Sequence, residues 1–482
     1  MLFNSIEFAF FLPAVLLAYY LVPVSLRWLF LLAASCFFYA AFIPAYLLIL
    51  VALIVIDYTA ALLIERSEGR SRRLIFLVSL LATASCLFSF KYLNFFNTNL
   101  KDLAELIGWN YSPKFFHWIL PVGLSFHTFQ SLSYVIEVFR GRQKAERHPG
   151  YYALYVMFFP QLVAGPIERA GHLLPQLRRP EALDGEGAAE GLRRIAWGFF
   201  MKCAVADNLV YYVNHVYNDP RGFGGLTLAM AAVFFSFQVY GDFAGYSNIA
   251  IGTARLFGIR MRENFDRPFF ARSTSDLWRR WHMSLTAWFK DYLYEPMGRC
   301  GGLAGSRWFR VMVVFLVSGL WHGANWTYVI WGALNGCFML IGSATRDFRE
   351  ALVDRAGGAR HPVALAAIRS LITFGLFTVA LIFFRARSVS DAVYMITHLF
   401  APGPPVLDQL LLSMPISLLV MALSGIALLL VAEGCSPPGS SGMGVVTGRS
   451  PFFRWSVYVL LTAYMTLFMY AGDQKPFIYF DF

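Results

Sequence analysis

The first residue able to do chemistry is a histidine inside a long uncharged run. His322 lies within Val311 to Thr345, 35 residues with no formal charge. Its neighbours are Trp321 and Trp326, the small residues Gly323 and Ala324, and the amide Asn325. An ionisable group is costly in such a setting and needs a reason. Two reasons are open: a neutral imidazole hydrogen-bonded between helices for packing, or a general base that takes a proton from a hydroxyl as its oxygen attacks an acyl carbonyl. His282 is the second candidate, forty residues earlier, in Leu277-Trp278-Arg279-Arg280-Trp281-His282-Met283-Ser284-Leu285. At helical spacing Leu277, Trp281, Leu285 and Phe289 share a face, which an amphipathic interfacial helix explains. The alternative role for His282 is to orient a substrate or His322, or to share proton handling. The third candidate is Asp242, in Gln238-Val239-Tyr240-Gly241-Asp242-Phe243-Ala244-Gly245-Tyr246-Ser247-Asn248. That pattern suits a helix crossing held by small residues and interhelical hydrogen bonds, and the same helix could line a cavity. His127 and Glu137 pose the same choice. The other histidines (His117, His148, His172, His215, His361, His398) sit in loops or at span ends.

The elements that must position these groups are membrane helices. The chain has 482 residues, 58% of them hydrophobic and 14% charged, with a mean hydropathy of +0.55. An average soluble domain is about 25% charged, and one soluble core cannot hide this much apolar surface. The formal net charge is +11. The basic residues fall between apolar spans, as the positive-inside rule requires, so nucleic-acid binding is not expected. Loops 65–73, 140–149, 168–194, 255–310, 346–369 and 434–454 hold most of them and are assigned to the cytoplasmic side.

Residues 6–24 carry Glu7 and Pro13, follow no positive n-region and precede no small-residue cleavage site, so they are expected to be a retained first segment. Trp28 to Ile64 is expected to form two helices broken near Pro44, and Leu74 to Phe90 a further span. Phe115 to Phe139 and Tyr151 to Gly165 are expected to be broken or re-entrant, since irregular backbone at membrane depth survives only against protein or a watery cavity. Residues 168–194 read as the longest flexible loop, followed by crossings near 195–217 and 224–257. Residues 255–310 carry about a quarter of all Lys and Arg together with Trp278, Trp281 and Trp288, a mixture suited to interfacial helices. Val311 to Thr345 is too long for one helix and is expected to break at Trp321-His322-Gly323-Ala324-Asn325-Trp326. Later spans fall near 364–384, 409–432 and 455–471, for ten to twelve crossings or re-entrant segments in one integral-membrane domain, 1–482. No internal repeat is evident.

Competing chemistries lack their signatures. There is no Walker loop, no GxSxG and no HExxH. The six cysteines are scattered without a CxxC pair, and no zinc spacing or disulfide framework appears.

Taken together, the motifs resemble those of bacterial membrane-bound O-acyltransferases. Trp278 to Leu285 with Trp288-Phe289-Lys290-Asp291-Tyr292-Leu293-Tyr294 is similar to one family signature, and Gly319 to Trp326 to a second. Tyr240 to Asn248, Phe159 to Pro166, Phe383-Phe384-Arg385-Ala386 and Pro476 to Phe480 follow the family pattern in order along the chain. The resemblance is nearest to the alginate O-acetylation branch and more distant to the D-alanylation branch. Asn248, where relatives often carry Asp, and Met297-Gly298-Arg299-Cys300 depart from the pattern.

The resemblance implies an all-α polytopic membrane protein of the bacterial inner membrane, a ring of transmembrane and re-entrant helices around a central funnel. It implies His322 as the catalytic histidine and His282 as the second characteristic one. The candidate set is His322 and His282 as catalytic residues, with Trp278, Asn325, Asp242 and Tyr246 binding substrate. No metal and no bound cofactor are expected; acetyl-CoA or another acyl thioester is the co-substrate. The implied partners are a periplasmic acetyltransferase of the AlgJ/AlgX kind, a polysaccharide acceptor such as alginate, and membrane lipid. Other functions open at this point are peptidoglycan O-acetylation by the same enzyme class, transport of acyl groups or sugars without chemistry, and an assembly scaffold.

Overall fold

The computed structural model describes residues 1–116, 118–163, 165–403, 409, 414–468 and 477. His117, residues 410–413 of the expected 409–432 span, residues 469–471 of the last span, and the terminal Pro476 to Phe480 motif apart from Phe477 lie outside them. Among the described residues the regular structure is helical, with no strand. Six helices are long and apolar enough to cross a bilayer: Pro44–Arg66, Gly69–Lys91, Gly225–Leu256, Trp326–Ala344, Pro362–Arg385 and Ile416–Cys435. Their outer faces leave Leu48, Leu81 and Leu371 exposed, as surface that meets lipid should. Other expected segments form shorter apolar helices. A 16-residue helix such as Ile6–Leu21 extends about 24 Å, less than the ~30 Å hydrocarbon core.

The described chain forms two compact units, one of residues 1–192 with 250–262, the other of 193–249 with 263–482. Two of the three boundaries, 192/193 and 249/250, cut through helices, and the third, 262/263, falls in a non-helical segment.

The first unit contains α1 (Ile6–Leu21), α2 (Arg27–Ala40), α3 (Pro44–Arg66), α4 (Gly69–Lys91), α5 (Leu124–Phe139) and α6 (Ala170–Arg178). Pro44 opens α3 at its first turn, where its missing N–H costs nothing. Asp57, the first charge after a long apolar run, is buried and faces α4. Ser79 Oγ donates to its Oδ1 at 2.7 Å and Thr83 Oγ1 at 3.0 Å. The carboxylate is thus an interhelical bolt. Residues 168–194, expected to be a flexible loop, instead fold into α6 and the start of the next helix. Their charges find partners: Arg255 pairs with Glu181 and Glu190 at 3.2 and 3.1 Å, and the buried Glu168 accepts from Arg262 N at 2.6 Å and pairs with His172 at 2.7 Å. Glu137 pairs with Arg140 and Arg142 at the end of α5.

The second unit carries the candidate residues. Gly185–Phe199 (α7) continues through a wide π-helical turn, Phe200–Ala206, into Asp207–Asn218 (α8). It packs on Gly225–Leu256 (α9) at glycines; a Cβ on Gly245 would sit 2.8 Å from the Gly198 carbonyl oxygen. The segment expected to be one interfacial helix is broken into Thr274–Arg280 (α10) and Met283–Phe289 (α11). Leu277, Trp281, His282, Leu285, Trp288 and Phe289 are all buried, so this stretch packs inside protein. The uncharged run breaks where its sequence indicates, into Arg307–His322 (α12) and Trp326–Ala344 (α13). Pro362–Arg385 (α14), Ile416–Cys435 (α15) and Pro451–Phe468 (α16) complete the unit.

Candidate active site

Helix α12 is started by Ser306, whose Oγ accepts from Phe309 N, and His322 is its last residue. Gly323 leaves the helix in an extended conformation, and Asn325 caps α13 by accepting from Thr327 N at 3.0 Å. The two helices touch backbone to backbone. A Cβ on Gly319 would lie 2.3 Å from the Tyr328 carbonyl oxygen, so only a residue without a side chain allows this approach. The His322 ring is thereby walled by aromatic groups, with centroids 4.9 Å from Trp321, 5.1 Å from Trp331 and 5.2 Å from Phe384.

His282 owes its position to a break in the helix. Trp281 is extended and His282 adopts φ 44°, ψ 53°. Among the described residues, His282 and Arg267 are the two non-glycine residues with positive φ. That left-handed conformation costs roughly 1–2 kcal/mol for a residue with a Cβ, and such strain gathers at functional sites. The ring lies 4.5 Å from Phe243 and 6.1 Å from Trp321, so Trp321 packs against both imidazoles. Burial pushes the His282 pKa down to about 3, which keeps the ring neutral at physiological pH.

Both histidines line one cavity of about 300 Å³, together with Trp278, Trp281, Leu285, Phe315 and Ser318. Lys290 and Arg307, both exposed, are the cationic residues on its lining. The indole N–H groups of Trp278 and Trp331 are buried without a hydrogen-bond partner among the described residues. The arrangement combines two imidazoles, an apolar chamber and two unspent donors, Trp278 on the lining and Trp331 off the lining but packed against His322. These are the elements of acyl transfer: a base, a place for an acyl chain, and donors for a carbonyl oxygen that becomes negative. Among the described residues no group of three or more His, Cys, Asp or Glu could hold a metal.

The structure therefore brings His322, His282 and Trp278 together. Asn325 is beside them in sequence but spends its side chain capping α13. Asp242 and Tyr246 are not among the cavity's lining residues. They surround Lys202, whose Nζ lies 2.5 Å from Asp242, 2.8 Å from Asp207 and 5.7 Å from the Tyr246 ring centroid. Lys202 is not among the candidate residues, although a lysine inside the expected 195–217 crossing is itself a signal. Trp331 carries no sequence signal, since a tryptophan in an apolar helix is ordinary; only the fold turns it toward His322.

The comparisons with known proteins agree with this chemistry. Residues 147–383 match the MBOAT, membrane-bound O-acyltransferase family, model. The chain is 33% identical to the probable alginate O-acetylase AlgI of Azotobacter vinelandii, over 100% of both proteins. It is 31% identical to the peptidoglycan O-acetyltransferase of Helicobacter pylori, over 100% of this chain and 98% of that protein. A teichoic acid D-alanyltransferase of Bacillus subtilis is 30% identical over 45% of this chain and 58% of its own length. With signatures, helices and full-length relatives in accord, the chain belongs to the membrane-bound O-acyltransferase family and is a multi-pass membrane O-acyltransferase.

Proposed function

We propose that this enzyme moves an acetyl group from acetyl-CoA or another acyl thioester at the cytoplasmic face of the bacterial inner membrane toward a hydroxyl on the periplasmic side, for O-acetylation of an exported polysaccharide of the alginate kind. The observation that carries the chemistry is the shared cavity of His322 and His282, with buried indole donors beside it. His322 accepts the proton of the acceptor hydroxyl while its oxygen attacks the thioester carbonyl. The carbonyl oxygen becomes an oxyanion and is met by the Trp278 and Trp331 N–H groups. Collapse breaks the C–S bond, and the proton held by His322 passes to the leaving sulfur, giving an ester and a free thiol. His282, neutral, orients rather than carries charge. The acceptor hydroxyl is supplied by the polysaccharide or by a periplasmic acetyltransferase partner that passes the acetyl group on. Peptidoglycan is the second acceptor class, favoured by the full-length similarity to the Helicobacter pylori enzyme.

The test is thiol release and O-acetyl ester formation by purified protein in lipid, supplied with acetyl-CoA and an acceptor. His322→Ala should abolish both while the protein remains folded and membrane-inserted. Wild-type transfer by that variant would sink the mechanism, and absence of thioester consumption by the unaltered protein would favour transport without chemistry.

A further inference from the structure

The His282 turn is held by a residue that neither the signatures nor the cavity singles out. Helix α11 begins directly after His282, which occupies its N-cap position but makes no side-chain capping hydrogen bond. The first N–H groups of a helix lack partners within it and must find them elsewhere. Here they find Asn264. Met283 N donates to the Asn264 backbone oxygen at 2.9 Å. Ser284 N and Ser284 Oγ donate to Asn264 Oδ1 at 3.4 and 2.9 Å. Asn264 Nδ2 in turn donates to Ser247 Oγ on α9 at 3.0 Å. Two residues on, Asp266 N donates to the Arg280 carbonyl at 2.9 Å. Residues 264–266 therefore run beside the strained turn and bracket Trp281 and His282 between two backbone hydrogen bonds. Asn264 is fully buried, so bulk solvent does not compete for these bonds.

We propose that Asn264 is the positioning residue for His282. It caps α11 from a separate segment, which frees the N-cap position to carry an imidazole instead of a Ser, Thr, Asp or Asn. It also ties that imidazole's backbone to α9, from which Phe243 packs against the ring. The inference rests on the catalytic assignment of the shared cavity given above. Its distinguishing consequence is that Asn264 acts through His282 and not independently of it.

The experiment measures kcat and KM for acetyl-CoA in Asn264→Ala, His282→Ala, the double variant and Asn264→Asp. Asn264→Ala should lose roughly tenfold to a hundredfold in kcat, with little change in KM, as expected when a supporting residue lets a reacting group drift. The double variant should be no slower than His282→Ala, since residues acting through one another are not additive. Asn264→Asp keeps the acceptor oxygen for Ser284 and should recover most of the rate. Should Asn264→Ala fold poorly, Ser284→Ala removes the Oγ bond to Asn264 Oδ1 while keeping the backbone one and carries the comparison, with a smaller kcat loss that vanishes in the His282→Ala background. Normal kcat in Asn264→Ala, or losses that multiply in the double variant, would overturn the inference while leaving His322 untouched. Full activity of His322→Ala would instead overturn the catalytic assignment, and this inference with it.

Discussion

Gly319→Ala places a methyl carbon 2.3 Å from the Tyr328 carbonyl oxygen and 3.0 Å from its carbonyl carbon. Both atoms are backbone, so no rotamer change relieves the clash. Ordinary contact begins near 3.4 Å, so α12 and α13 must separate by about 1.1 Å. His322 lies three residues further along α12 and packs against Trp331 of α13, so the separation moves the His322 ring relative to the Trp331 indole. A displacement of about 1 Å at a reacting group costs on the order of a hundredfold in rate, while overpacking costs about 1–3 kcal/mol of stability. Turnover of acetyl-CoA by purified protein, measured beside thermal unfolding in detergent, separates the two effects. The expected result is a folded protein with kcat reduced on the order of a hundredfold. Gly375→Ala, on α14 with nothing within 4 Å of the new methyl, is the control and should turn over normally. A folded Gly319→Ala enzyme with an unchanged kcat would refute the idea that α12–α13 spacing sets the geometry of His322.

Three further outcomes are expected. Trp331→Phe keeps the ring beside His322 and removes the N–H, so kcat should fall roughly tenfold to a hundredfold with the melting temperature nearly unchanged; an unaltered kcat would remove Trp331 from the chemistry. Lys202→Met leaves Asp207 and Asp242 buried without their cation and should cost about 3–5 kcal/mol of stability, with partial recovery in Lys202→Met/Asp242→Asn; equal stability of the single and double variants in thermal unfolding would contradict the ion cluster's role. Asn325→Ala removes the α13 cap and should cost about 1 kcal/mol, read as a lower melting temperature with a smaller loss of rate than Gly319→Ala; a loss of rate with no change in melting temperature would instead point to substrate contact.

The sequence carried the membrane class, the break at Trp321 to Trp326 and the two histidines. Each is a local property: hydropathy over a window, a charge-free run, a titratable ring where charge is scarce. Other expectations failed where partners come from far along the chain. Residues 168–194 look like a flexible loop because they are charged, yet Arg255 pairs with Glu181 and Glu190, and Glu168 accepts from the Arg262 backbone N–H with the Arg262 guanidinium 4.0 Å away. The segment around Trp281 fits one amphipathic helix by spacing, yet it breaks at His282 because residues 264–266 supply hydrogen bonds that a continuous helix would not need.

Composition and periodicity therefore fix the membrane solvent, the long apolar helices and the two rings that stand out. What the tertiary structure decided is their use. Asp242, which reads as a cavity residue, is drawn to Lys202 forty positions away, because a buried charge must be paired. His322 and His282, forty residues apart, share one chamber because Gly319 lets α12 touch α13 and Asn264 holds a left-handed turn. Periodicity records neither the missing side chain's neighbour nor the remote hydrogen bond, and those two contacts set the site.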